Sequence, residues 1–168
     1  MRNYILFSLL SASVLFSGTA NLKNNEVIDQ SNALKLSINA SDDVLGVQFD
    51  VFYDPTQVSI DESDIVSKVE DVELYAKVSN KDGKARVLMF SLNGTKILDS
   101  KSTDISDFVE MSFTAVDGYL GNSIIKVEDI TLAGEHGQEI ETTSSANYEI
   151  AFALPIKTKL NKNYPNPF

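Results

Sequence analysis

The chain has a single histidine, His136, and its Glu135-His136-Gly137 setting reads as a turn. Activating a serine or threonine nucleophile needs a base held beside it, and a lone turn histidine supplies no Ser-His-Asp arrangement. The chain has no cysteine. That removes disulfides, thiolate zinc sites, cysteine nucleophiles and a lipid-anchored cysteine together. The 8 glycines are dispersed among turns, so no phosphate-cradling loop is present. Carboxylates are abundant enough for a glycosidase pair, but a sandwich-sized chain leaves little room for a sugar cleft. Asp42-Asp43, Asp61-Glu62-Asp64 and Asp104-Asp107 fall in loop-like segments where calcium could gather oxygens. None has EF-hand spacing, so no metal site and no cofactor is assigned. These residues describe a protein that is not an enzyme.

The elements that would carry any other activity are set by composition and pattern. With 168 residues and 43% hydrophobic content, the chain can build one β-domain with short tails. Its formal net charge is −10, from 24 acidic and 14 basic side chains, with no Lys/Arg cluster in sequence. A polyanion would be repelled, which argues against nucleic acid. At the N-terminus, Arg2 precedes an apolar run from Tyr4 to Phe16, and Ser17-Gly18-Thr19-Ala20 supplies small residues. The run is shorter than the ~20 residues that span a bilayer. Residues 1–20 are therefore read as a signal peptide with cleavage at Ala20. No later segment is apolar enough to span a membrane.

Residues 21–33 read as a polar leader, and 34–153 as the folded domain. Leu34, Leu36 and Ile38 alternate with Lys35, Ser37 and Asn39, the period of a strand with one buried side. Val47, Phe49, Val51 and Tyr53 likewise share one side, with Gln48, Asp50 and Phe52 on the other, before Asp54-Pro55 ends the strand. Val72, Leu74, Ala76 and Val78 alternate with polar residues, and Asn80-Lys81-Asp82-Gly83-Lys84 reads as a hairpin turn. In the next strand Leu88, Phe90 and Leu92 are expected inward, and Met89 and Ser91 outward. Val109, Met111 and Phe113, then Ile124 to Leu132 and Asn147 to Phe152, supply the remaining strands. The sum is an all-β fold, a two-sheet antiparallel β-sandwich of jelly-roll type.

Three segments, in order, resemble the cohesin domain, a sandwich akin to bacterial carbohydrate-binding domains. They are Leu45 to Pro55 with its Tyr53-Asp54-Pro55 ending, Arg86 to Thr95, and Phe108 to Ala115 followed by Ser123 to Leu132. The resemblance implies a non-catalytic scaffolding module that binds a dockerin-like protein through the second and fourth of the strands just described. The implied surface is Gln48, Asp50, Phe52, Met89 and Ser91, with Asn93 at its edge. A second resemblance covers the tail. Residues 154–168 read as a linker ending in Asn163-Tyr164-Pro165-Asn166-Pro167-Phe168, which is similar to the opening of a type IX secretion sorting domain, here cut short. It implies a secreted or outer-surface protein of a Gram-negative bacterium, with the secretion machinery as a partner of the tail. Two other roles fit the same fold. A carbohydrate-binding module would use stacked sugar rings, but there is no tryptophan, and Tyr4 and Tyr164 lie outside the domain. A structural spacer would leave the outward aromatic covered by another domain.

Overall fold

The computed structural model describes residues 19–28, 31–102, 107–140 and 145–152. Among them eleven strands run in the order β1 (Thr19–Ile28), β2 (Ser31–Asn39), β3 (Gly46–Phe52), β4 (Val58–Ser59), β5 (Ile65–Ser67), β6 (Glu73–Ser79), β7 (Lys84–Phe90), β8 (Val109–Ala115), β9 (Gly121–Ala133), β10 (Glu139–Ile140) and β11 (Ala146–Phe152). One sheet has the order β1-β2-β8-β4, with β5 also on β8; the larger has the order β10-β9-β3-β7-β6, with β11 also on β9. Every pairing is antiparallel. The two-sheet antiparallel sandwich expected from period-two alternation is the fold observed.

The stretch 21–33 is not a leader. Most of it is β1, paired with β2 from Thr19↔Asn39 to Ile28↔Ser31 with an irregularity between Asn24 and Val27. Its sequence alternates too weakly to announce a strand, and the pairing comes from the backbone ladder, which carries no side-chain signal. Ala20 is the second residue of this strand, opposite Ile38. The last strand ends at Phe152; the sorting phrase Asn163 to Phe168 lies outside the described residues.

Because successive side chains on a strand point to opposite sides, β3 sends Val47, Phe49, Val51 and then Tyr53 between the sheets, all buried. Two edge-on aromatic pairs join the layers. Phe49 meets Phe108 with centroids 6.3 Å apart at 84°, and Tyr53 meets Phe113 at 5.8 Å and 68°. Each such pair adds roughly 0.5–1.5 kcal/mol beyond the area buried. Strand β7 follows the opposite parity to the one expected. Ala85, Val87 and Met89 are fully buried, whereas Leu88, Phe90 and Leu92 point away from the core. Met89 is therefore a core residue and no part of an outer surface. The reason is electrostatic: Lys84 and Arg86 belong to the outward set, so that every second residue after them must also face out.

The turn between β6 and β7 is fastened to the end of β3. Tyr53 Oη donates to Asn80 Oδ1 at 2.8 Å, and Asn80 Nδ2 donates to the Ile60 carbonyl at 3.0 Å. Burial, with the charge of Asp61 behind it, pushes the Tyr53 phenol up to about 12. Gly83 has φ of 61°, and a Cβ there would lie 2.1 Å from the Tyr53 carbonyl oxygen and 2.8 Å from Pro55 Cδ. Gly94 also has positive φ, 84°, but a Cβ there meets nothing within 4 Å. Gly83→Ala is therefore expected to destabilise the fold by roughly 3 kcal/mol or more, and Gly94→Ala by only about 1 kcal/mol. Urea unfolding of the two variants checks this; equal losses would refute the backbone clash.

Candidate functional site

The outer side of the larger sheet is built in rows across four strands. The register sets Tyr75 opposite Leu88 and Leu88 opposite Gln48, which in turn faces Thr131. One row along stand Lys77, Arg86, Asp50 and Glu128; beyond them stand Ser79, Lys84, Phe52 and Lys126. On β9 the outward positions Glu128 and Thr131 are three residues apart. A bulge between Gln48 and Asp50 makes this fit, with Asp129 in the left-handed region at φ 52°.

Asp50 faces outward, as its parity requires, yet is only 1% exposed. Arg86 and Lys84 cover it. Arg86 Nε and Nη2 donate to its two oxygens at 2.6 and 2.7 Å, and Lys84 Nζ lies 2.7 Å from Oδ2. The paired guanidinium, and then the lysine, hold the Asp50 carboxyl below the usual carboxylate range against the opposing effect of burial. Lys84 also lies over the Phe52 ring, 4.8 Å from its centroid.

Beside this charged zone is an apolar one. Tyr75 is 58% exposed and Leu88 40% exposed, and the Tyr75 ring stacks on Phe90 with centroids 5.8 Å apart at 6°. Leu92 follows in the next loop at 80% exposure. Gln48 and Phe52 are half-buried on the same side. Ser91 and Asn93 close a local turn: Asn93 Oδ1 accepts from Ser91 Oγ, Thr95 N and Thr95 Oγ1 at 2.9, 3.2 and 2.9 Å. Of the six surface residues expected, Gln48, Asp50 and Phe52 come together on the face, Ser91 and Asn93 border it, and Met89 is inside. Tyr75, Leu88 and Phe90 take the apolar role instead. The signals that could have found them are the alternation of Leu74, Ala76 and Val78, which leaves Tyr75 on the outward side, and Arg86, which puts Leu88 and Phe90 there.

Four of the loop acids, Asp43, Asp61, Glu62 and Asp64, are engaged with the protein. Asp43 Oδ2 lies 2.7 Å from Lys96 Nζ, while its Oδ1 accepts from Ser100 N and Oγ at 3.0 and 2.8 Å. Hydrogen bonds from Lys96 and then Ser100 hold this carboxyl far below its ordinary range. Asp61 and Asp64 cap each other, and Glu62 Oε1 accepts from Val78 N at 3.3 Å. Among the described residues no group of three or more His, Cys, Asp or Glu could hold a metal ion. Asp104 lies outside them. His136 is exposed in its turn at φ 62°.

Asp43 and Asp50 have folded-state values lowered from the ordinary ~4, so their ion pairs contribute fully above that pH and are lost as pH falls below it toward the lowered values. The urea midpoint is expected to drop between pH 7 and pH 3. Asp50→Asn should be less stable than the parent at pH 7 and lose less on acidification. An unchanged pH dependence in that variant would contradict the assignment.

Comparison with known proteins adds the family. The family model for the cohesin domain matches residues 14–152. A search of curated proteins returns no match. Among solved structures, the cohesin module of a family 33 glycoside hydrolase from Clostridium perfringens is 19% identical. It matches with a TM-score of 0.65, over 82% of this chain and 98% of that one. A type I cohesin–dockerin complex of OlpA from Clostridium thermocellum gives 18% identity and a TM-score of 0.60, over 80% and 99% of the two chains. A type II cohesin–X-dockerin complex from Acetivibrio cellulolyticus gives 13% and 0.62, over 80% and 98%. At these identities the structures show a shared fold.

Proposed function

Because the chain belongs to the cohesin domain family, we propose that it is a non-catalytic binding module that docks a dockerin-like protein on the outer side of β6, β7, β3 and β9. The observation that carries this reading is Leu88, 40% exposed on the second strand of a continuous sheet and flanked by exposed Tyr75. Burying such apolar side chains on a solvent-facing sheet is favourable only against a partner, at about 25 cal/mol per Å². The solved cohesins from Clostridium thermocellum and Acetivibrio cellulolyticus were captured with dockerins, which gives the partner class. Polysaccharide is less well served, because Tyr75 and Phe90 are stacked on each other rather than laid open side by side.

The module is placed outside the cell by this reading. The segment ending at Ala20 is its export signal, and Asn163 to Phe168 address it to the type IX machinery, for a secreted or surface-fixed protein of a Gram-negative bacterium. Cleavage after Ala20 keeps Asn21–Ile28 of β1 in the domain. The exported form is expected to begin at Asn21, which N-terminal peptide mass spectrometry reads directly; a retained Met1 would refute the signal.

The binding role is tested by capture of secreted and surface proteins on the immobilised chain, with calcium and with chelator. Specific recovery of a protein with duplicated calcium loops is expected, and Leu88→Asp should weaken its binding roughly thirtyfold, as loss of a central anchor does. Met89→Ala should instead lower stability by about 2–5 kcal/mol while the folded fraction still binds. Capture that survives Leu88→Asp would rule out this face.

A further inference from the structure

We propose that the docking face is divided by charge, and that its partner sets an acidic patch over the Lys77, Arg86, Lys84 and Lys126 end while its apolar side chains cover Leu88, Tyr75 and Phe90. This inference rests on the docking role above and gives that partner a chemistry and an orientation. On two adjacent rows four cations face outward. The carboxylates among them are Asp50 and Glu128, with Asp129 on the neighbouring bulge. Asp82 closes the end of the second row, its Oδ2 accepting from Ser79 Oγ at 2.6 Å, so the strip is balanced in formal charge on a chain whose net charge is −10.

The exposed charge is more lopsided than that balance. Asp50 is buried at 1% and unavailable to a partner, whereas the Arg86 and Lys84 side chains remain 56% and 37% exposed. Asp50 neutralises only one of the two cations that cover it. Lys77 and Lys126 are exposed and form no ion pair among the described residues. At the other end of the face the charge is reversed: Glu73 stands opposite Phe90, beyond the apolar cluster.

An acidic partner would be repelled by the net charge of the chain and attracted here, with Lys35 and Lys68 around Glu110 as the smaller cationic group on the other sheet. Such an arrangement favours one approach and one orientation, through the rate of encounter more than through final affinity. A basic partner would be drawn to almost any other part of the molecule. The cationic strip therefore selects against the binding that net charge alone would promote.

The test uses the full chain and two synthetic helical peptides that share a leucine face. One carries glutamates beside the leucines and the other lysines at the same positions. Amide shifts in NMR titrations at low salt report both affinity and location. The glutamate peptide is expected to shift β6, β7, β3 and β9 and to bind more tightly there than the lysine peptide, despite the chain's net charge. The double variant Lys77→Glu/Lys126→Glu, at exposed positions that leave the fold intact by thermal midpoint, should weaken the glutamate peptide at least about fivefold and reverse the preference. Leu88→Asp should weaken both peptides. An unchanged preference in the double variant, with binding still lost in Leu88→Asp, overturns the charge assignment and leaves the docking face standing. Both peptides binding Leu88→Asp as they bind the parent removes the docking face and this inference with it. Tighter binding of the lysine peptide to the face, or no shift there with the glutamate peptide, also overturns the proposal.

Discussion

Asp50 is a carboxylate on the solvent side of a sheet with almost no contact with solvent, and much of the architecture depends on how it is held. A buried charge is tolerated only when paired and hydrogen-bonded, and removing one partner of such a pair costs roughly 3–5 kcal/mol. Here both oxygens are taken by Arg86, and one is shared with Lys84. That requirement fixes the register of β3 on β7. A slip by one residue would bring Ala85 or Val87 opposite Asp50 and drive Arg86 between the sheets. The ion cluster thus decides which residues of both strands are core and which are surface.

With the parity of β3 and β7 settled, the two sides of the sheet separate into different tasks. The inward side carries Phe49 and Tyr53 to their edge-on partners Phe108 and Phe113 in the opposing layer. The outward side is left as rows of side chains in fixed order. Two tethers hold the ends of the sandwich against the connecting loops. Asn80 ties the β6–β7 turn to Tyr53 and Ile60, and Asp43, in the loop before β3, holds Lys96 and Ser100 of the loop after β7. Of the acids that a calcium reading would have used, Asp43, Asp61, Glu62 and Asp64 are spent on these tethers and on local contacts.

The sequence revealed the fold wherever one side of a strand was polar. β3 was legible because Gln48 and Asp50 interrupt Val47, Phe49 and Val51, and Asp54-Pro55 marks its end. β7 was not, because Val87-Leu88-Met89-Phe90 is apolar at four successive positions, so that either parity gives an apolar inner side and Leu88 and Phe90 are expected inward with Leu92. Arg86 carried the answer, since a guanidinium between two sheets has no counter-charge, and counting from it puts Met89 inside. β1 was read as a polar leader because its pairing with β2 is a property of the backbone ladder. The face itself was half legible: Gln48, Asp50 and Phe52 were placed on it, but the burial of Asp50 depends on two side chains from a neighbouring strand. No reading of β3 alone could show that.

The same geometry explains why this surface suits recognition better than chemistry. Side chains on a twisted sheet project side by side, so neighbouring groups are spaced by the strand separation of about 4.8 Å and do not converge on one atom. Convergence needs loops or a cleft, and here Asp43, Asp61, Glu62 and Asp64 are engaged within and between their own loops. What the sheet offers is order: an apolar cluster at one end, a cationic strip next to it, and a carboxylate kept beneath the strip. Asp50 lowers the cost of crowding Arg86 and Lys84 together, yet it is too deeply buried to repel an approaching acid. A buried counter-ion of this kind lets a strongly acidic protein gather cations on one face, and the register that buries it also brings Leu88 and Tyr75 out beside it.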